Sequence, residues 1–349
     1  MTARSPEGPQ APFLYRLLAT AGRAPGAIAL VHKHRGVWVT RHWRDVVGEI
    51  DRFAAGFRRL GVADGAAVAV EGEITARLFL VAAGALAAGA RLRAVPPTVS
   101  AAERARVLAD PSVAAVVAQG REAVAAWGDA SEGGRQEPVV IDHATAGGRA
   151  PAPGVVTIEA LRSMGETRGW EDCLRLGPAG RSARPSWVEE STGWVAGLDL
   201  LLDRWVDDGR PFALPELLAA AGRDRAEARP EVWIASVDRI EAAAAAIRER
   251  LPEPASLTGL LVAEALSNPR TPWSIATLGL VRRKLGLSRL DGVEAHPATR
   301  REPSAETARL FAGLGVPLSG HRPSRVRSGP RTAGEPARIA ALVPAGPAS

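Results

Sequence analysis

Two neighbouring acids, Glu189 and Glu190, stand before two hydroxyls, Ser191 and Thr192. Carboxylates so placed can pass protons to and from a substrate. They also suit the first turn of a helix, where free N–H groups and the helix dipole favour negative charge, and that structural role is the stronger reading. His32 and His34 alternate with Val31 and Lys33, so on a strand both imidazoles share one face and could give a metal two ligands. No cysteine or carboxylate nearby completes the set, and an exposed strand face is expected instead. His143, His296 and His321 stand alone in loop-like sequence, and Asp142 beside His143 lacks a Gly-x-Ser-x-Gly nucleophile elbow. Gly84 and Gly89 are not followed by the Lys and Ser or Thr of a phosphate loop, so they read as points of close helix packing. Trp187, Trp194 and Trp205 read as core and surface anchors rather than as the walls of an acyl tunnel.

The chain that must position these groups has 349 residues, 46% hydrophobic and 23% charged, enough to bury a sizeable core. Cys173 is the single cysteine, which rules out an internal disulfide, and the opening residues contain no apolar run of the secretory kind; a cytoplasmic protein is expected. The longest apolar stretch, Leu78 to Ala90, is shorter than the roughly 18 to 20 residues a spanning helix needs, so no membrane span is expected. The formal charge is +6, but it is carried by arginines scattered beside acids such as Glu49, Asp51, Glu103 and Glu249. That is the pattern of solvated helix faces, and a nucleic-acid partner is not expected.

Hydrophobic period supplies the elements. Leu14 to Ala21 suits a short helix, and IALVHKH and VWVTR flank a turn at Arg35 and Gly36, the mark of a hairpin. Trp43, Val46, Val47, Ile50, Phe53, Ala54, Phe57 and Leu60 recur at helical steps, with Gly61 placed for a left-handed C-terminal cap. A strand from Ala66, an apolar helix through Ala88, a strand RLRAV, a helix capped by Ser100 and a strand from Val113 to Val117 then alternate. The expected class is therefore α/β, with largely parallel sheets flanked by helices. Further on, Trp187 to Val206 and Leu214 to Ala221 read as helical. EVWIAS reads as a strand, and Val237, Ile240, Ala244, Ile247 and Leu251 form the buried stripe of a helix. Gly128 to Pro153 and Gly165 to Pro185 read as irregular apart from a short PVVID strand.

In this order the segments resemble the N-terminal region of bacterial long-chain acyl-CoA synthetases, members of the AMP-binding, adenylate-forming superfamily. Leu60, Gly61, Val62, Gly65, Gly72 and Glu73 match the family's opening segment. VPPTVSAAERARVLADPSVAAVVAQGRE is similar to its next helix and strand. In RPSWVEESTGWVAGL, Trp187 and Glu190 stand where the family has an aromatic or His residue followed by Glu. PEVWIASVDRIEAAAAAI and VRRKLGLSRLDGVEAHPATRREPSAETARLFAGLGVPL resemble later segments, so the likeness runs from about Phe13 to Leu318. The resemblance implies an incomplete N-terminal domain, with a first α/β segment at 1–127, an irregular linker at 128–185 in place of the phosphate-loop segment and a second α/β segment at 186–320; the Pro-, Gly- and Arg-rich composition of 321–349 is that of a disordered basic tail.

The resemblance also shows what this sequence does not contain. The family grips ATP phosphates with a Thr-Ser-Gly-Thr-Thr-Gly-x-Pro-Lys-Gly loop, whereas this chain reads LRLGPAGRSARP between Cys173 and Ser186. The Tyr-Gly-x-Thr-Glu adenine loop is due after Leu318, where SGHRPSRVRSGP stands. Lys33 and Lys284 are the only lysines, and neither lies where the family's catalytic Lys would be. The expectation is a degenerate acyl-CoA synthetase-like chain that does not adenylate a fatty acid by itself, with no catalytic residue and no cofactor. It would retain a role in binding an acyl ligand or a protein partner. One alternative is the acyl-binding half of a fatty acid–CoA ligase completed by another polypeptide, an acid–thiol ligase using ATP, Mg and CoA. The other is a protein that associates with itself through surface the missing half would cover.

Overall fold

The computed structural model describes residues 12–131, 139–142, 155–174, 183–296 and 302–320. Helix α1 (Phe13–Arg23) leads into the hairpin of β1 (Ile28–His34) and β2 (Val37–His42). Arg35 and Gly36 both take positive φ, +49° and +77°, which is the tight hairpin turn whose twist matches that of the strands. Helix α2 (Trp43–Arg59) ends at Gly61, whose φ is +81°. There the Val62 N–H reaches Phe57 O at 3.1 Å and the Gly61 N–H reaches Arg58 O at 3.0 Å, closing the cap that the sequence predicts.

Strand β3 (Ala67–Glu71), helix α3 (Ala76–Ala87), strand β4 (Arg91–Ala94), helix α4 (Ala101–Leu108), strand β5 (Val113–Gln119) and helix α5 (Arg121–Ser131) follow. Ser100 and Glu103 close a reciprocal capping box on α4. Strand β6 (Val139–Asp142) falls where PVVID predicts one. Within the expected irregular stretch, β7 (Val155–Thr157) and α6 (Ile158–Ser163) also form. These five strands make an all-parallel sheet in the order β4-β3-β5-β6-β7.

The second half adds β8 (Ser186–Val188), α7 (Gly197–Asp208), β9 (Phe212–Leu214), α8 (Ala221–Ala228), β10 (Val232–Ser236) and α9 (Val237–Arg250). It closes with α10 (Leu257–Ser267), α11 (Pro272–Lys284), β11 (Gly292–His296), α12 (Ala305–Gly313) and β12 (Leu318–Gly320). The resulting seven-stranded sheet runs β12-β11-β10-β8-β9-β1-β2, parallel except for the antiparallel β1–β2 edge. The early hairpin therefore belongs to the sheet built by the second half.

Two predicted helices are corrected. Trp187 to Val206 is helical only from Gly197, and Trp187 lies on β8. Leu214 to Ala221 is the end of β9 followed by a single 3₁₀ turn, Leu218–Ala220. The cause is burial on both faces: Trp187 packs in the cluster under α9 and α12, and Val188 in the one under α7. A three-residue strand covered on both sides has no polar face, so it shows no two-residue period.

Alternation along the strands divides three apolar clusters. Val68, Val70, Ala115 and Val117 from one sheet, and Leu30, Val188, Phe212 and Ile234 from the other, meet the same helices, α2, α3 and α7. Trp233, Ala235, Val293 and Ala295 face α9 and α12 on the opposite side. Ala69, Val116 and Ala118 face α4 and α5. The helices α2 and α3 thus form a layer shared between the sheets. Gly84 of α3 permits their approach, since a Cβ there would lie 2.4 Å from Phe53 Cβ. Gly89 is instead a turn residue with φ +99°. Replacing Gly84→Ala should destabilise the protein by about 1–3 kcal/mol through overpacking, read as an earlier midpoint in urea unfolding followed by far-UV circular dichroism.

Candidate functional site

The carboxyl ends of both sheets converge on the loop after β8. Ile74 N–H donates to Glu190 O at 2.8 Å, Thr192 N–H to Gly72 O at 2.9 Å, and Gly72 N–H to Thr192 Oγ1 at 3.0 Å. Thr192 Oγ1 in turn donates to Val95 O at 2.6 Å, and Glu73 and Ser191 form an isolated antiparallel bridge. The Glu73 carboxylate accepts Leu218 N–H at 2.9 Å. Residues 189–192 are therefore a buried seam between the sheets, and the first turn of a helix expected for Glu189 and Glu190 is not what they form.

The two acids point to different partners. Glu189 Oε2 accepts from Trp187 Nε1 at 2.7 Å and from Arg225 Nη1 at 2.8 Å. The Arg225 guanidinium lies over Trp233, 4.1 Å from the ring centroid. Glu190 Oε1 accepts the Ser236 N–H at 2.7 Å, at the N-terminus of α9. Burial is the largest influence on this carboxyl and pushes it up to about 7, more than the Ser236 hydrogen bonds and Arg239 pull it down. Of the two residues picked out by sequence, Glu190 thus lies buried in the seam against the N-terminus of α9, while Trp187 holds Glu189.

His296, read as a loop residue, ends β11 and is buried. Its Nε2 lies 3.9 Å from Glu294 Oε2 and its ring centroid 5.9 Å from that of Trp194. Arg204 holds Glu294 through both carboxylate oxygens, the Nη2–Oε1 contact measuring 2.8 Å. Trp187, Trp194 and Trp205 are all buried anchors.

A cavity of about 580 Å³ opens at the carboxyl ends of β3 and β5, lined by Glu71, Gly72, Arg104, Gln119 and Arg121 among others. Strand β4 lies on one side of β3 and β5 on the other, so the cavity sits where the order of a parallel sheet reverses, the usual place for a ligand in such sheets. Arg104 grips Glu71 at 2.7 and 3.2 Å, and Trp127 Nε1 donates to the same carboxylate at 2.6 Å. Gln119 Oε1 accepts the Glu73 N–H at 2.5 Å, which ties this cavity to the seam. Sequence reading passed over Glu71, Arg104, Gln119 and Arg121. The available signal was a Glu and a Gln ending two buried strands, where an apolar residue would be cheaper to bury.

The remaining candidates lie elsewhere. His32 and His34 do share a face of β1, but burial, then Arg41, lowers His32 to about 4. Among the described residues no group of three His, Cys, Asp or Glu is placed to hold a metal. Lys33 is buried, its Nζ 2.9 Å from Asp224 Oδ1 and 2.6 Å from Glu227 Oε2. Glu227 first, then Asp224, hold this ammonium above its ordinary value. His143, His321, the side chains of Asp142 and Cys173, most of the LRLGPAGRSARP stretch and the tail 321–349 lie outside the described residues.

With this geometry in hand, the chain is placed by its relatives in fold. It has the architecture of the N-terminal domain of adenylate-forming enzymes, helices flanking mixed and parallel sheets. Residues 17–165 match the sequence model of the AMP-binding enzyme family. Among solved structures it is similar to the luciferase-like enzyme of the nonluminescent mealworm Zophobas morio (9% identity, TM-score 0.60, 91% of this chain and 73% of that one). It is also similar to the adenylation domain of a carboxylate reductase from Mycobacterium chelonae (13%, 0.60, 90% and 58%) and to an acyl-CoA synthetase of Brucella canis (15%, 0.59, 87% and 56%). The chain thus spans little more than half the length of the latter two. No curated protein matches it by sequence. No helix among the described residues is long and apolar enough to cross a membrane.

Two measurements test the site. The folded pKa of Glu190 lies above its ordinary 4.5, so its stabilising contribution is full below about pH 4.5 and is lost as the pH rises through about 7. Glu190→Gln keeps an oxygen acceptor for Ser236 and should be more stable than the wild type by up to about 3 kcal/mol above about pH 8, with little difference below pH 4.5. Urea unfolding at a series of pH values reads the difference. Lys33→Met removes the close cation of buried Asp224 and leaves only Arg223 at 3.9 Å, so the urea midpoint should fall at neutral pH.

Proposed function

We propose that this chain is a binding member of the adenylate-forming fold, taking an acyl ligand or a protein partner without forming an acyl-adenylate by itself. One observation carries the reading: the seam that ends β8 presents buried carboxylates rather than phosphate-holding groups. Glu189 is committed to Arg225 and Trp187, and Glu190 occupies the N-terminus of α9, a natural anion site. A triphosphate brought to this edge meets negative charge whenever Glu190 is ionised. Of the two lysines, Lys33 is locked between two carboxylates and Lys284 lies at the far end of α11. The stretch preceding β8 supplies no lysine and no run of hydroxyls.

The span of little more than half of two similar structures supports a second reading, an acyl-binding half completed by another polypeptide that would bring the phosphate, adenine and lysine groups. Such a pair would use ATP, Mg and CoA.

Thermal unfolding of the purified chain with Mg-ATP, AMP, fatty acids and acyl-CoAs separates these readings, because a ligand that binds the native state raises its apparent stability. The expected result is no shift with ATP or AMP and a rise of a few degrees with an acyl ligand. A clear shift with ATP, or pyrophosphate exchange catalysed by the chain alone, would sink the proposal.

A further inference from the structure

Helices α10 and α11 pack on each other, yet between them they leave six large apolar side chains in solvent. On α10, Leu257, Leu260 and Leu261 are 83, 58 and 63% exposed; on α11, Trp273, Ile275 and Leu280 are 85, 61 and 65% exposed. Together they expose apolar side chain on the order of several hundred Å². The three leucines follow the i, i+3, i+4 spacing of one helical face, opposite buried Gly259, Val262 and Ala265. Trp273, Leu280 and Lys284 lie on a common line of α11, seven and four residues apart.

The charge around this surface is predominantly positive. Residues 256–290 contain Arg270, Arg282, Arg283, Lys284 and Arg289 against the single acid Glu264. Beside the hairpin, Arg229, Arg283 and Arg289 converge with Ser288 on an open cavity of about 430 Å³ whose lining includes no carboxylate. Among the described residues none of these three guanidiniums forms a salt bridge, whereas Glu227, the nearby acid on α8, is engaged by Lys33.

An apolar face with an indole at its edge, flanked by three guanidiniums that form no salt bridge among the described residues, matches the boundary of an anionic lipid bilayer: hydrocarbon below, phosphate above. We infer that the α10–α11 hairpin docks the protein on an anionic membrane surface. The leucines and Trp273 enter the headgroup boundary, and Arg229, Arg283 and Arg289 take lipid phosphates. A second copy of the chain fits less well, because a two-fold contact would press this basic rim against itself.

Co-sedimentation of the full chain with vesicles tests the inference. Binding to vesicles containing about 30–40% phosphatidylglycerol should exceed binding to pure phosphatidylcholine at least about tenfold and weaken with salt. The double variant Leu261→Ser/Trp273→Ser should lose binding about tenfold or more, and Arg283→Ala/Arg289→Ala severalfold, with far-UV circular dichroism and elution volume unchanged. Equal binding to both vesicle types, or binding indifferent to either variant, overturns the inference. So does a dimer in light scattering that the Leu261→Ser/Trp273→Ser change dissociates, which would assign the face to a second copy.

Discussion

One layer of helices has to satisfy two sheets at once. Strand residues Val68, Val70, Ala115 and Val117 reach α2 and α3 from one side, and Leu30, Val188, Phe212 and Ile234 reach the same layer from the other. Interiors are close-packed, so neither sheet can shift without disturbing the helices that serve its neighbour. The approach of α2 to α3 is set where Gly84 meets Phe53, and Trp43, Phe79 and Trp205 then fill the layer by aromatic contact, with Trp43 and Trp205 stacked at 4.6 Å and Phe79 edge-on at 5.1 Å. With the sheets fixed in this way, their carboxyl ends lie on one edge, where backbone bonds from Gly72, Ile74 and Thr192 join them.

Burial at that edge accounts for its chemistry. An ionised carboxylate shielded from water needs a cation or a set of donors. Glu71 obtains Arg104 and Trp127, Glu189 obtains Arg225 and Trp187, and Glu294 obtains both arms of Arg204. Glu190 has the Ser236 N–H and no direct cation, and burial pushes it up to about 7. A carboxyl that can be neutral near physiological pH is suited to exchanging a proton, and its position at the N-terminus of α9 also makes it a stand-in for an anionic ligand. Both properties come from one placement.

Much of the first half is legible in the sequence because its elements have one polar face or a clear stop. The α2 stripe ends at Gly61, the capping pair Ser100 and Glu103 announces α4, and Arg35–Gly36 marks the hairpin. The second half hides its strands. Ser186–Val188 and Phe212–Leu214 are three residues long and covered on both sides, so their apolar content reads equally well as helix. The site is hidden for a related reason. Trp187 and Glu190 come to notice through order along the chain, while Glu71, Arg104 and Gln119 converge from three elements, and no spacing in one dimension records that meeting.

The arginines show how a net charge of +6 should be interpreted. Arginine offers a planar fork suited to two carboxylate oxygens; Arg104 and Arg204 use it on Glu71 and Glu294, and Arg225 holds Glu189 through its Nη1, acids that parallel-sheet burial would otherwise leave uncompensated. These charges are internal and contribute little to the field a partner meets. Around α10 and α11, where the apolar side chains are least covered, residues 256–290 carry five cations against one acid. A scattered-looking composition therefore resolves, in three dimensions, into arginines that secure the edge of the sheets and others, Arg229, Arg283 and Arg289 among them, that converge at the surface beside α11. The same residue type serves the interior where a carboxylate faces it, and is left to the surroundings where none does.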